Sequence, residues 1–440
     1  MLFIQNYAIL EHKIERKKLA EKSWNKTYDK ETLKELADSL KQSHVSIGQR
    51  IESSKENPFG FKYVKTIPPD EVAVLFLGGT GTEVKKGGDK SANGYLSTLE
   101  KYLKGHGLEE ILQQQGKSPE IRKSIGLYSI IYNFGKDIAG RAICQTSSAR
   151  ENLYVNHKQI LSFHKDEINK DIIRFNEEAR NPHYIEELFN MAFLSRICDK
   201  NGKRLSLDEA CKRTRNLTVC AHCHGAYTFL KIEERMQQMM RSLGYSREES
   251  DKIQSQLLCV ALAPDAPLGV SKSKMISFAS ASDMEIRDSY YQKNNFKRIV
   301  GLILDLKEAD KQRGIRTEGI RTSYFPGKRG EFFLTERIYK PGDDEESLRA
   351  EHNFLSNKDQ ELLTNGGKTL FNLAANILLS GIESSLRKTP LPSVEELACG
   401  HDEENKVAFH RLKRNGDNLW NKIRKVLHPL LMNQYRQKEH

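Results

Sequence analysis

Two thiols and two imidazoles fall between Cys220 and His224, in the stretch VCAHCHGAY that runs from Val219 to Tyr227. That density of soft ligands and nucleophiles is open to three kinds of chemistry. Cys220-Ala221-His222-Cys223-His224 matches C-x-x-C-H, the attachment sequence of a covalent haem, which needs an oxidising compartment and usually a loop. The same four side chains could suggest zinc, but a structural site needs four convergent ligands. Alternate side chains of a strand point to opposite faces, and no second C-x-x-C pair occurs in the chain. The third reading is a nucleophile. Ala221-His222-Cys223-His224-Gly225 has the form small-x-nucleophile-x-Gly, in which a strained turn between a strand and a helix displays one side chain. Such a turn needs small neighbours two positions before and after, since larger ones would collide.

The flanking sequence supplies the elements that such a turn requires. NLTVCAH (216 to 222) reads as an apolar strand, and GAYTFLKIEERMQQMMRSL continues it with helical periodicity through Phe229, Ile232, Met236 and Met240. The N-terminus of that helix would favour negative charge on a sulfur placed beside it. EVAVLFL (71 to 77), ended by Gly78-Gly79, has the continuous apolar profile of a strand buried on both faces. IGLYSIIYNF (125 to 134), for which a helix is also open, LLCVALA (257 to 263), KMISFASA (274 to 281) and EFFLTERIY (331 to 339) read as further strands. Strands alternating with helical stretches imply an α/β fold: a mostly parallel sheet with helices on both faces. Charged helices are expected at the N-terminus (8 to 57), and the chain turns helical again from about 357. The division expected is an N-terminal helical extension (1–66), a catalytic domain with insertions (67–356) and a C-terminal helical region (357–440).

With this order of elements, the segments FLGGTGT (76 to 82) and AHCHGA (221 to 226) resemble the α/β-hydrolase superfamily. Within it they are similar to the phospholipase-like effector family of bacterial secretion systems, whose first strand ends in F-x-D-G-T and whose elbow reads G-F-S-R-G-A. Gly78 stands where that family carries Asp, and Cys223 where it carries Ser. The resemblance covers roughly residues 70 to 355 and implies an acyl-enzyme mechanism with the chain order nucleophile, acid, histidine. Cys223 is then the nucleophile. Asp283, after KMISFASAS, is the expected acid, with Asp265, after LLCVALAP, the alternative. His352, the first histidine beyond Asp283, is the expected base, ahead of His401 and His410 in the helical tail. His222 and His224 flank the thiol but point away from it, and are assigned with Gly225 to the walls of the pocket.

Acyl transfer develops negative charge on the substrate oxygen, so backbone amides must be aimed there. The amide of His224 and one in Gly79-Thr80-Gly81 are the candidates, glycine allowing the backbone to come close to a ligand. GGTGT could also be read as a phosphate loop, but G-x-x-x-x-G-K-[ST] is not satisfied in residues 78 to 91. No cofactor and no metal is expected.

The rest of the composition narrows the setting. The chain has 440 residues, 38% of them hydrophobic, enough for a sizeable core. No apolar run approaches the 18 or more residues that span a bilayer, and the N-terminus lacks the basic region of a signal peptide. Seven scattered cysteines fit a reducing compartment better than a disulfide framework. A cytoplasmic location is expected, with the resemblance adding the prospect of translocation into a host cell. The net charge of +11 admits acidic partners, and FHRLKRNGDNLWNKIRKVLHPLL is basic and amphipathic enough to lie on an anionic membrane or to pack on its own domain. Nucleic acid is not the expected partner; a small molecule, a lipid or an acylated protein is. The contrasting class is a non-catalytic binding protein on the same scaffold, recognising an acidic partner or a membrane.

Overall fold

The computed structural model describes residues 41–79, 87–133, 183–264, 271–280, 321–325, 331–336, 365–400 and most of 406–418, with single positions at 38, 82, 266 and 421. Within these residues one nine-stranded sheet runs in the order β2-β1-β4-β3-β5-β6-β7-β9-β8. Its centre is built from the apolar runs of the sequence: β3 (Ala73–Leu77), β4 (Gly126–Asn133), β5 (Leu217–His222), β6 (Leu258–Leu262), β7 (Lys274–Ser280) and β9 (Glu331–Glu336). These six pair in parallel. The edges are antiparallel: β1 (His44–Arg50) lies on β4, β2 (Phe61–Val64) on β1, and β8 (Arg321–Phe325) on β9.

Continuous burial of the central strands follows from helices on both faces. Val74, Phe76, Cys220 and Val260 join one apolar core with side chains of α1 (Gly88–Gly105), α2 (Leu108–Gln114), α3 (Ile121–Ser124), α8 (Asn365–Arg387) and α9 (Val394–Cys399). Ala73, Leu75, Leu77, Val219, Ala221 and Cys259 join a second core with α4 (His183–Ala192), α5 (Leu207–Arg215), α6 (His224–Ser242) and α7 (Arg247–Gln254). The period-2 alternation of each strand thus sends neighbouring residues to different cores. Ser206, Ser246 and Ser393 cap α5, α7 and α9 through the amides three residues on, the local signal that starts a helix.

Strand order decides where a site can form. From β3 the chain moves one way to β4, then returns past β3 to β5 on its other side. The helices that follow β3 and β5, α1 and α6, consequently lie on opposite faces, which makes the carboxyl ends of these two strands the switch point at which sheets of this kind form a crevice.

The expectation of charged helices up to residue 57 fails at His44–Arg50, which forms a seven-residue strand, and β2 follows it within the 1–66 stretch expected to be a helical extension. β2 is a short edge strand and β1 lies next to it, and both carry polar or charged residues facing solvent, so their composition resembles that of the charged sequence before them. β8 carries no apolar run and was not expected either. At the other end, residues 409–418 are helical, with Phe409 and Leu412 buried and Arg411, Lys413 and Arg414 exposed. Phe409 stacks on Tyr324 at 4.8 Å, so this part of the amphipathic stripe packs on the β8 to β9 edge; Trp420, Ile423, Leu427 and Leu430 lie outside the described residues. No described helix is long and apolar enough to cross a membrane.

Candidate active site

β5 ends at His222 and α6 begins at His224, leaving Cys223 as the single residue that turns the strand into the helix. Its backbone has φ 51° and ψ −124°, a region that L-residues avoid and that costs of order 1–3 kcal/mol. Two hydrogen bonds hold it there. The Cys223 amide donates to the Leu262 carbonyl at the end of β6 (3.1 Å), and the Cys223 carbonyl accepts from the Ala226 amide in the first turn of α6 (3.1 Å).

The small residues required by the turn have identifiable reasons. A Cβ on Gly225 would stand 1.9 Å from the Leu77 carbonyl oxygen and 3.1 Å from that of Gly78. The helix therefore starts in direct backbone contact with the carboxyl end of β3. Ala221 is fully buried in the core under α6. A Cβ on Gly79 would lie 3.0 Å from the Cys223 Cβ and 3.5 Å from its Sγ. The loop after β3 thus runs past the sulfur with room for backbone and little else. Thr82, itself buried, closes this loop by donating its hydroxyl to the Gly79 carbonyl at 2.9 Å.

Cys223 is 6% exposed and belongs to neither of the two apolar cores. It lies at the carboxyl end of β5, beside Gly79 of the loop after β3. Cys220 is different: fully buried on the face shared with α1 and α8, its thiol is pushed up to about 12 by burial. Cys259 on β6 is likewise raised well above the ordinary thiol value. Burial thus keeps both thiols protonated. Cys220 and His222 lie on the α1 face of the sheet and His224 on the other, so the four side chains do not converge on one point.

His222, 4% exposed, lies toward α1, with its ring 6.2 Å from that of Tyr95. His224 is fully buried on the opposite face. Its Nε2 is 3.1 Å from the Tyr184 hydroxyl, and its ring stacks on Tyr227 at 5.5 Å. The Tyr132 and Thr228 hydroxyls complete this nest at 3.0 Å. The two imidazoles were expected to wall the pocket. The His224 ring instead anchors the elbow from beneath, so only its main chain can face the crevice.

Farther along α6, the Glu233 carboxylate is buried and accepts from the Ser271 hydroxyl and the Ser273 amide, both at 2.7 Å. Burial pushes its pKa above the ordinary carboxyl value, although these hydrogen bonds pull it down. This clamp ties the helix to the segment entering β7.

The structure thus brings together Cys223, Gly79, Gly225 and the first turn of α6. Thr80, Gly81, Asp265, Asp283, His352 and His401 lie outside the described residues. His410, the remaining candidate base, is exposed and pairs with Glu395 at 3.5 Å on the surface. Sequence reasoning missed the Tyr132, Tyr184 and Thr228 nest, because its members come from β4, α4 and α6, with no spacing signal to link them.

Protein-family models give no match to the chain, and neither do the curated protein sequences.

Proposed function

We propose that the protein is a cysteine-dependent hydrolase or acyltransferase of the α/β-hydrolase type. The observation that carries the reading is the strained backbone of Cys223 at the strand-to-helix turn beside the β3 to β5 crevice. A protein gains nothing for its stability from a non-glycine residue held in this conformation, whereas a nucleophile gains exposure to a substrate carbonyl from one side and helix amides from the other.

In this reading the Cys223 sulfur attacks the carbonyl carbon of an ester, thioester or amide, and its proton passes to the imidazole of His352, which Asp283 or Asp265 orients. The charge that develops on the substrate oxygen meets two sets of main-chain N–H groups. The first amides of α6 have no acceptor within the helix, and Gly79 lies beside the sulfur. The imidazolium then returns the proton to the leaving group. Water or an acceptor alcohol or amine, deprotonated by the same imidazole, releases the acyl group and restores the thiol.

p-Nitrophenyl acetate and iodoacetamide provide the test. At neutral pH the wild-type chain should release a burst of p-nitrophenol and carry the acetyl group on Cys223 by peptide mass, and iodoacetamide should modify Cys223 well ahead of the other cysteines. Both signals should fall to the solvent background in Cys223→Ala, and the burst should be lost in His352→Ala. Equal, slow modification of all the cysteines would defeat the enzyme reading and favour the non-catalytic binding protein.

A further inference from the structure

A second cluster of chemistry-bearing side chains lies on the same sheet edge, built from residues that no sequence spacing connects. His44 opens β1, and His183 and Glu187 lie one turn apart on α4. The Glu187 carboxylate is oriented by main chain, its Oε2 accepting the Val45 amide at 2.9 Å. Its other oxygen is thereby aimed at both imidazoles, 2.8 Å from His44 Nδ1 and 3.6 Å from His183 Nδ1. The two rings meet edge to face at 5.3 Å, and one potential ligand atom from each of the three side chains falls within 4.8 Å of the others. His183 and Glu187 share a helix face by their i, i+4 spacing. Ser43 fixes β1 against α4, its carbonyl 3.1 Å from His183 Nδ1 and its hydroxyl accepting the Tyr184 amide at 3.4 Å.

We propose that His44, His183 and Glu187 bind one divalent transition-metal ion of the zinc class. Two imidazoles and one carboxylate suit zinc, cobalt, nickel or copper and not calcium or magnesium, which take oxygen ligands. Three protein ligands leave a fourth position for water or for a group of another molecule. Both imidazoles are partly exposed, so each can turn the short way needed to reach metal-ligand distances while its backbone stays fixed. The second imidazole, held by the Ser43 carbonyl at 3.1 Å, faces the same carboxylate oxygen as the first, so a small rotation of each ring would set all three donors on one ion.

Position gives the site a consequence. His44 pairs with Asn133 at the carboxyl end of β4, so the cluster lies on the edge that carries Cys223. β1 is separated from β5 by β4 and β3, which is about 14 Å at the usual strand spacing. The residue after His183 is Tyr184, whose hydroxyl reaches His224 beneath the elbow. A metal joining β1 to α4 would therefore stiffen the support of the reactive turn. It does so whether or not Cys223 is a nucleophile.

The test uses zinc alone, titrated calorimetrically into the full, chelator-treated chain, with cobalt absorption as a readout of the ligand set. The wild type should bind zinc in a site that Glu187→Gln, which keeps an acceptor for the Val45 amide, weakens by about tenfold or more. His44→Ala/His183→Ala should lose one equivalent, together with the cobalt signal of imidazole ligation and the zinc-dependent rise in melting temperature. Circular dichroism of each metal-free variant controls for the fold. An unchanged stoichiometry in the double variant, or wild-type binding no tighter than that variant's, would overturn the proposal. Neither result depends on acyl transfer.

Discussion

The middle of β5 and its carboxyl end carry the same functional group three residues apart, and the fold treats them differently. Cys220 is closed into hydrocarbon between the sheet and two helices, where burial keeps its thiol protonated. Cys223 lies just past the last strand residue, in a strained conformation, touching the loop after β3 and heading a nineteen-residue helix. Residue type is identical in the two places. What differs is whether the backbone is within the ladder or leaving it: a strand interior offers a thiol only apolar neighbours, whereas the end of this parallel strand sets it beside a helix terminus and the loop after β3, and the proposed reactivity of Cys223 rests on that difference.

The contrast can be strained at three points. The largest effect is expected at Gly225. Replacement by Ala forces a Cβ into the Leu77 carbonyl, where the obstacle is backbone and cannot rotate aside, so the urea midpoint should fall by an amount worth about 3 kcal/mol, with loss of any Cys223 reactivity. A variant as stable as the wild type would mean that the elbow is not held against β3. Next comes Cys220→Ser, which buries a hydroxyl among apolar side chains and should destabilise by about 2 kcal/mol while leaving the rate of Cys223 alkylation unchanged. A drop in that rate would show the two ends of β5 to be coupled. The smallest change is expected in Tyr184→Phe. It removes the hydroxyl that reaches His224 at 3.1 Å and Thr228 at 3.4 Å beneath the turn and should lower stability by about 1 kcal/mol, with slower modification of Cys223 if the nest sets the turn's geometry.

Much of the scaffold was legible because its strands are buried on both faces. β3, β4, β5, β6, β7 and β9 are runs of apolar residues that stand out against a charged chain, and each was placed to within two or three residues at its ends. The antiparallel strands beside β4 were not legible. His44–Arg50 and Phe61–Val64 bury only part of their surface, and their alternation is too short to compete with the helical pattern before them. At the site, the turn itself could be read from Ala221, Cys223 and Gly225. The histidines could not, since whether a ring at 222 or 224 meets solvent or a tyrosine hydroxyl depends on which element lies beside it. The His44, His183 and Glu187 cluster was invisible for the same reason, its members being up to 143 residues apart.

Local chemistry therefore settled the parts governed by neighbours along the chain: hydrophobic periodicity made the strands and helices, and steric need for small residues made the turn at Cys223. Long-range packing settled the rest, because the order in which strands line up is fixed by where the two helical layers can bury their apolar faces. That order put β3 beside β5, brought Gly79 to the sulfur, turned His224 into a buried anchor and carried His44 to α4. Contacts between such distant residues have no period to leave in a sequence, and only the folded sheet makes them neighbours.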